Sequence, residues 1–311
     1  MAPGIGIDYW RSKINRLTID MAGRPVQTML RRFPWPIKKT ILRAPALQRA
    51  TGTCRLLVMT TPRDWFDALW SAYSWQFFTD GFLKPTLAVD GAVTASMQCQ
   101  VEQIMPGAKI VPASAYLAAA EALLPDASSF FRNFKYGRKL AVVLVASNEE
   151  PVLYSDSDVL VFRKPNEILS HISANNDTPL YNNGDGGDEW NAPLIIDLMR
   201  KVGLSPLAGF NSGLMFIPQK SLDLKLCSKC MSMHPPGREH FFTEQSIFNA
   251  LLASAKAQAL DSKQYSISEK GMYFYESDMD YQNIVTRHFT GVVRHRMYMA
   301  GMPLLARKFL N

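Results

Sequence analysis

Short apolar runs alternate along this chain with longer segments whose apolar residues return every three or four positions. Arg55–Thr60 is nearly all apolar behind its first residue, the length and texture of a buried strand. Thr61 and Pro62 follow as a capping residue and a proline suited to the first helical position. A helix is expected behind them, with Trp65, Phe66, Leu69, Tyr73 and Phe77 on one face. Thr86–Asp90 reads as a second strand closing on Gly91, and Lys109–Pro112 as a third, with Ser114 placed to cap a helix over Ala115–Leu124. This alternation predicts an α/β fold with a mostly parallel, doubly wound sheet. Ligands of such sheets bind beyond the carboxyl ends of strands, which draws attention to Thr60 and to polar residues that end later strands.

Downstream the same texture carries polar interruptions. Apolar runs flank Asp156-Ser157-Asp158 on both sides. Phe210–Pro218 reads as a strand whose mouth holds Asn211, Ser212 and Gly213. Thr243 is placed to cap a helix that opens with Glu244 and Gln245. A β-like run from Val285 ends at His288, and Gly291 and Arg294 follow it.

Composition narrows the class. In 311 residues, 47% are hydrophobic and 20% charged, which excludes a disordered or collagen-like chain and allows a substantial core. No run approaches the roughly 18 apolar residues of a membrane span, and no secretory signal is read at the start. Four cysteines suit a reducing compartment, so a cytoplasmic location is expected. Charge is uneven. Residues 1–52 hold ten cations against Asp8 and Asp20, a net +8, while the whole chain carries +7. The expected organisation is a basic N-terminal extension over 1–52 and a near-neutral domain over 53–311. The extension mixes its cations with Trp10, Phe33, Trp35, Ile37 and Ile41, so peripheral contact with the inner face of a membrane is one reading. Docking of its apolar residues on the domain is the other, and nucleic-acid binding is not expected.

Two carboxylates one residue apart at a sheet edge can offer oxygens to one hard divalent cation. Two like charges held that close without a cation are costly. One reading gives Asp156 and Asp158 a metal that bridges the diphosphate of a nucleotide-sugar. A second makes Asp156 the nucleophile of a haloacid-dehalogenase-like phosphatase, with Asp185 and Asp188 as its later acids. The 27 residues between Asp158 and Asp185, and the long stretch of core before Asp156, speak against it. A third reading is a catalytically degenerate, carbohydrate-binding or scaffold protein. Cys227, Cys230, His234 and His240 match no trusted zinc spacing, and buried cysteines on a helix over Leu222–Met233, capped by Ser221, are expected instead.

Taken in order, Asp-x-Asp at 156–158, Phe-Asn-Ser-Gly at 210–213, Glu-Gln at 244–245 and His-Phe-x-Gly-x-x-Arg at 288–294 resemble the GT-A glycosyltransferases, most closely the glycogenin-like glycosyltransferase family 8. The resemblance covers about residues 55 to 295. It implies a Rossmann-like, mostly parallel central sheet flanked by helices. It also implies transfer of a hexose from a nucleotide-sugar, a UDP-sugar by preference, to a glycan, lipid or protein acceptor with retention of configuration. Asp156, Asp158 and His288 would hold Mn²⁺ (or Mg²⁺); Thr60, Lys139, Asp156, Ser212, Gly291 and Arg294 would contact the donor. Asn211 and Ser212 would face the transferred sugar, and Gln245 would lie near its anomeric carbon. Arg294-His295-Arg296 stands where the family has Lys-Pro-Trp, and Glu244 where many relatives have Asp. Glu244, Asp185 and Asp188 are the candidates should a general base be needed, and Trp190, in the Gly-rich stretch 181–190, is a candidate acceptor platform.

Overall fold

The computed structural model describes residues 33, 35–134, 136–184, 191–233, 240–272 and 277–310. Among these, β1 (Cys54–Thr60), β2 (Leu83–Val89), β3 (Lys109–Pro112), β4 (Val152–Asp156), β6 (Leu180–Asn183), β7 (Phe210–Ile217) and β8 (Gln258–Ala259) form one sheet in the order β3-β2-β1-β4-β7-β6-β8. The first four are mutually parallel, whereas β7 runs antiparallel to both β4 and β6. That reversal brings the amino end of β7 to the edge where β4 ends. A second, small sheet is formed by β5 (Val159–Val161), β10 (Thr286–His288) and β9 (Tyr265–Ser266), in that order.

Helices cover both faces of the large sheet, as expected for strands rich in apolar residues on both sides. Trp65–Phe78 and the C-terminal Met302–Phe309 pack on one face, and Ser114–Leu123, Gly137–Glu149 and Thr243–Ser254 on the other. The first of these does not show the single apolar face expected of it. Only Phe66 and Phe77 keep partial exposure, and Asp67, Ser71, Ser74 and Gln76 are buried beside Trp70, Tyr73 and Trp75. A second cover explains this: β5 and the turn Ile37–Thr40 lie on the same helix as β1 and β2. Two of the buried polar side chains serve that cover. Ser74 accepts from Val161 N at 3.1 Å, and Gln76 donates to Gln48 O at 2.9 Å. Each fully buried ring contributes roughly 2–3 kcal/mol.

Three caps differ from expectation. Ser114 and Thr243 lie inside the first turns of Ser114–Leu123 and Thr243–Ser254, where neither acts as the cap. Asp223, not Ser221, caps Leu224–Ser232, its carboxylate accepting from Lys225 N and Leu226 N. A carboxylate at that position satisfies two free N–H groups and suits the helix dipole, so it displaces the hydroxyl two residues earlier. Cys227 and Cys230 are buried on this helix, and burial raises both thiols, Cys230 to about 12. His234 lies outside the described residues.

The described part of the basic segment packs on the domain. Trp70 Nε1 donates to Lys38 O at 3.0 Å, Tyr73 Oη to Pro45 O at 2.9 Å, and Thr51 N to Gly81 O at 3.1 Å. Residues 1–32, which bear Trp10 and six of the ten cations, lie outside the described residues. Among the described residues no helix is long and apolar enough to cross a membrane.

Candidate metal centre

Strand pairing assembles this site. β4 ends in Asp156, and after Ser157 and Asp158 the chain enters β5, leaving the large sheet. β5 pairs antiparallel with β10 in a register that sets Val159 opposite His288, and Phe289 N donates to Asp158 O at 2.8 Å. A histidine 130 positions away in sequence is thereby fixed beside the two acids. His288 Nε2 stands 3.1 Å from Asp158 Oδ1 and 3.7 Å from Asp156 Oδ2. One ligand atom from each of the three residues lies within 4.8 Å of the others, which makes them a candidate metal site.

Each carboxylate has one oxygen covered by the protein and one turned toward the histidine. Tyr154 Oη donates to Asp156 Oδ1 at 2.5 Å, and Lys139 Nζ lies 3.4 Å from the same atom. Arg294 Nη1 pairs with Asp158 Oδ2. Asp156 Oδ2 and Asp158 Oδ1 remain on the side of Nε2. The histidine is oriented in the same sense. Asn211 Oδ1 accepts from Gly213 N at 2.8 Å and lies 3.0 Å from His288 Nδ1. An amide oxygen can only accept, so Nδ1 carries a proton toward Asn211, and the ring is held with Nε2 aimed at the acids. Gly213 makes room for the ring: a Cβ there would come within 2.2 Å of His288 Cε1.

Beside this centre lies a second cluster. Lys139, on Gly137–Glu149, donates to Ser212 Oγ at 3.0 Å and stands 3.3 Å from Glu244 Oε1. Burial works against its charge, but Asp156 and Glu244 outweigh that and raise its pKa. Burial raises the Glu244 carboxyl, and the Asp156 charge adds to this against the pull of Lys139. Gln245 Oε1 is 3.4 Å from Asn211 Nδ2 and 3.5 Å from Ser212 N. Lys139, Asn211, Ser212, Glu244 and Gln245 therefore form one polar floor next to Asp156.

The other donor candidates are placed differently. Thr60 is buried at the end of β1, one residue past Met59, which pairs with Asp156. Gly291 sits in an exposed turn where a Cβ would meet nothing within 4 Å. Arg294 is engaged by two carboxylates, Asp158 and Asp67, the latter at 3.1 Å from Nη2. Asp185, Asp188 and Trp190 lie outside the described residues. Sequence reasoning missed Tyr154 and Asp67. Tyr154 could have been found, since a strand's two-residue period sets it on the same face as Asp156. An acid between Trp65 and Trp70 is the corresponding signal for Asp67.

No family model matches the chain, and no curated protein matches it in sequence. Solved structures do match. Galactosyltransferase LgtC, in complex with donor and acceptor sugar analogues, aligns at 15% identity and a TM-score of 0.51, over 82% of this chain and 96% of its own. The bifunctional glycosyltransferase WbbM aligns at 10% identity and a TM-score of 0.50, over 84% of this chain and 52% of its own. Mouse xyloside xylosyltransferase 1 aligns at 11% identity and a TM-score of 0.48, over 75% of this chain and 96% of its own. At such identities the likeness is one of fold. The chain has the GT-A fold.

In this GT-A chain the candidate site lies where β4 hands the backbone from the large sheet to the small one. The donor set fits a divalent cation. Two carboxylate oxygens and an imidazole nitrogen lie within 4.8 Å of one another, an oxygen-and-nitrogen set that suits such an ion. The phosphatase reading expects its nucleophile where the domain opens, whereas Asp156 ends the fourth strand, beside the antiparallel β7.

Proposed function

We propose that the chain is a metal-dependent glycosyltransferase, moving a hexose from a nucleotide-sugar, preferentially a UDP-sugar, to a carbohydrate-containing acceptor with retention of configuration. The observation that carries this reading is the convergence of Asp156 Oδ2, Asp158 Oδ1 and His288 Nε2 at the carboxyl edge of a GT-A sheet. Carboxylate and imidazole together suit Mn²⁺, and the two carboxylates admit Mg²⁺. Bound there, such an ion would offset the negative charge that builds on the departing diphosphate.

The remaining roles belong to the protein's own side chains. Lys139 adds a positive charge on the sugar side of Asp156, where it also steadies the leaving phosphate. Asn211 and Ser212 present an amide and a hydroxyl to sugar hydroxyls, and Gln245, which touches both, orients the anomeric centre for attack. Glu244 is buried with its carboxyl raised, so it can hold or accept a proton close to that centre.

Calorimetric titration with UDP, with and without MnCl₂, tests the proposal. Binding is expected to require the metal and to be lost in Asp158→Ala and His288→Ala, and a screen of UDP-sugars should show metal-dependent turnover. Metal-independent hydrolysis of p-nitrophenyl phosphate, abolished in Asp156→Asn and untouched in His288→Ala, would replace it with the phosphatase reading.

A further inference from the structure

Behind the metal centre, on the side away from the polar floor, charges alternate from the protein surface inward. Lys38 Nζ is 3.0 Å from Asp67 Oδ1. Asp67 Oδ2 is 3.1 Å from Arg294 Nη2 and accepts from Tyr298 Oη at 2.8 Å. Arg294 Nη1 then pairs with Asp158 Oδ2. Asp67 is fully buried in the first turn of the helix Trp65–Phe78, and an unpaired carboxylate so buried would be severely destabilising. Lys38 belongs to the basic N-terminal segment, and it is locked in place. Its ammonium lies 4.4 Å from the Tyr298 ring centroid, and Trp35 packs on the same ring at 5.7 Å.

We propose that Asp67 and Lys38 are positioning residues of the metal centre, so that the segment before the first strand completes the site from behind. This rests on the glycosyltransferase reading above. The chemistry is that of an outer shell. Arg294 can cover only one oxygen of Asp158 while Asp67 holds its other nitrogen, and Asp158 Oδ1 is then left to face His288. Asp67 in turn needs a second cation, because Arg294 divides its charge between two carboxylates. Lys38 supplies it. Without Lys38, Arg294 is drawn toward Asp67 and away from Asp158, and the carboxylate loses the orientation that presents one oxygen to the ion.

The test is a titration of the full chain with MnCl₂, by calorimetry and by the electron paramagnetic resonance signal of free Mn²⁺. Asp67→Asn is expected to weaken Mn²⁺ roughly tenfold or more, Lys38→Met several-fold, and Lys38→Arg by less than about twofold. A merely structural role would lower Tm in Lys38→Met and leave the Mn²⁺ Kd unmoved, and that result overturns the proposal. Should Asp67→Asn not fold, the two Lys38 variants decide. A wild-type chain that binds no Mn²⁺ overturns both this inference and the reading beneath it. A wild-type chain that binds, with Lys38→Met unchanged, overturns this inference alone.

Discussion

Glu244 and the Asp156–Asp158 pair sit at the same edge of the sheet, within reach of the same lysine, yet their charges are met in opposite ways. Glu244 is answered by protein: Lys139 at 3.3 Å and the Ser212 hydroxyl at 3.5 Å. On their far sides the two aspartates are met by Tyr154 and Lys139 on one and by Arg294 on the other. Their near oxygens face His288 Nε2, at 3.7 Å from Asp156 and 3.1 Å from Asp158. One cluster is an acid paired with a lysine, and in the other two acids and an imidazole converge on a candidate metal site. The contrast separates a buried acid held by a lysine from two acids turned toward a shared candidate metal site. Burial alone does not make that distinction; the direction in which the carboxylate oxygens point does.

Lys139→Met breaks the self-sufficient half and has the largest expected effect, a loss of about 4 kcal/mol near neutral pH, because it leaves a buried carboxylate without its cation. The sign with pH follows from Glu244. Its pKa is raised in the folded protein, so the folded state binds more protons than the unfolded one above the ordinary carboxyl range. Stability therefore falls as pH rises through that raised value. Removing Lys139 raises the carboxyl further and steepens the fall. Urea unfolding of wild type and Lys139→Met at pH 5 and pH 8 should show a small deficit at the lower pH and the full one at the higher. An equal deficit at both would mean that the charge on Glu244 does not change between the two pH values.

Gly213→Ala strikes the other half without touching any charge. Its Cβ would lie 2.2 Å from His288 Cε1 and 2.8 Å from Asn211 Oδ1, so the ring or the amide that orients it must move. Overpacking of this kind costs about 2–3 kcal/mol. Here the loss should appear in Mn²⁺ affinity as much as in Tm, since the displaced group is the proposed nitrogen ligand. A variant with lowered Tm and wild-type Mn²⁺ affinity would show that the ion does not depend on His288.

The reach of the sequence differs between these regions for physical reasons. β1 and β3 are legible because apolar runs bounded by Thr-Pro or Pro leave little else for the backbone to do. Asp156, Asp158 and His288 are legible as chemistry, because an acid pair between apolar runs and an imidazole ending another run are each conspicuous. What brings them together is not local: the pairing of Val159 with His288 is a tertiary choice that no window of sequence contains. Asp67 escapes for a related reason. Helical periodicity finds one face, while this helix is covered on two, and an acid on the second face reads as solvent-exposed until Lys38 and Arg294 arrive from the two ends of the chain. Ser114 and Thr243 mislead because hydroxyls are common both as caps and in first turns, and only backbone geometry separates the two.

The smallest and most discriminating change is Tyr154→Phe. Burial, and then the adjacent Asp156 charge, push the Tyr154 hydroxyl well above its ordinary pKa, so it remains a donor throughout the neutral range. Its 2.5 Å bond covers Asp156 Oδ1, and removing it leaves Lys139 at 3.4 Å as the nearest cover on that oxygen. A hydrogen bond to a charged acceptor is worth about 1.5 kcal/mol, so a roughly tenfold loss of Mn²⁺ affinity is expected if the bond fixes which oxygen faces His288. The same deletion on the Glu244 side has no counterpart, because Glu244 draws on Lys139 and Ser212 rather than on Tyr154. The pH dependence of unfolding should thus keep its wild-type shape in Tyr154→Phe while Mn²⁺ binding weakens. If the pH profile moves and the metal affinity does not, the hydroxyl serves the buried pair, and the division between the two clusters fails.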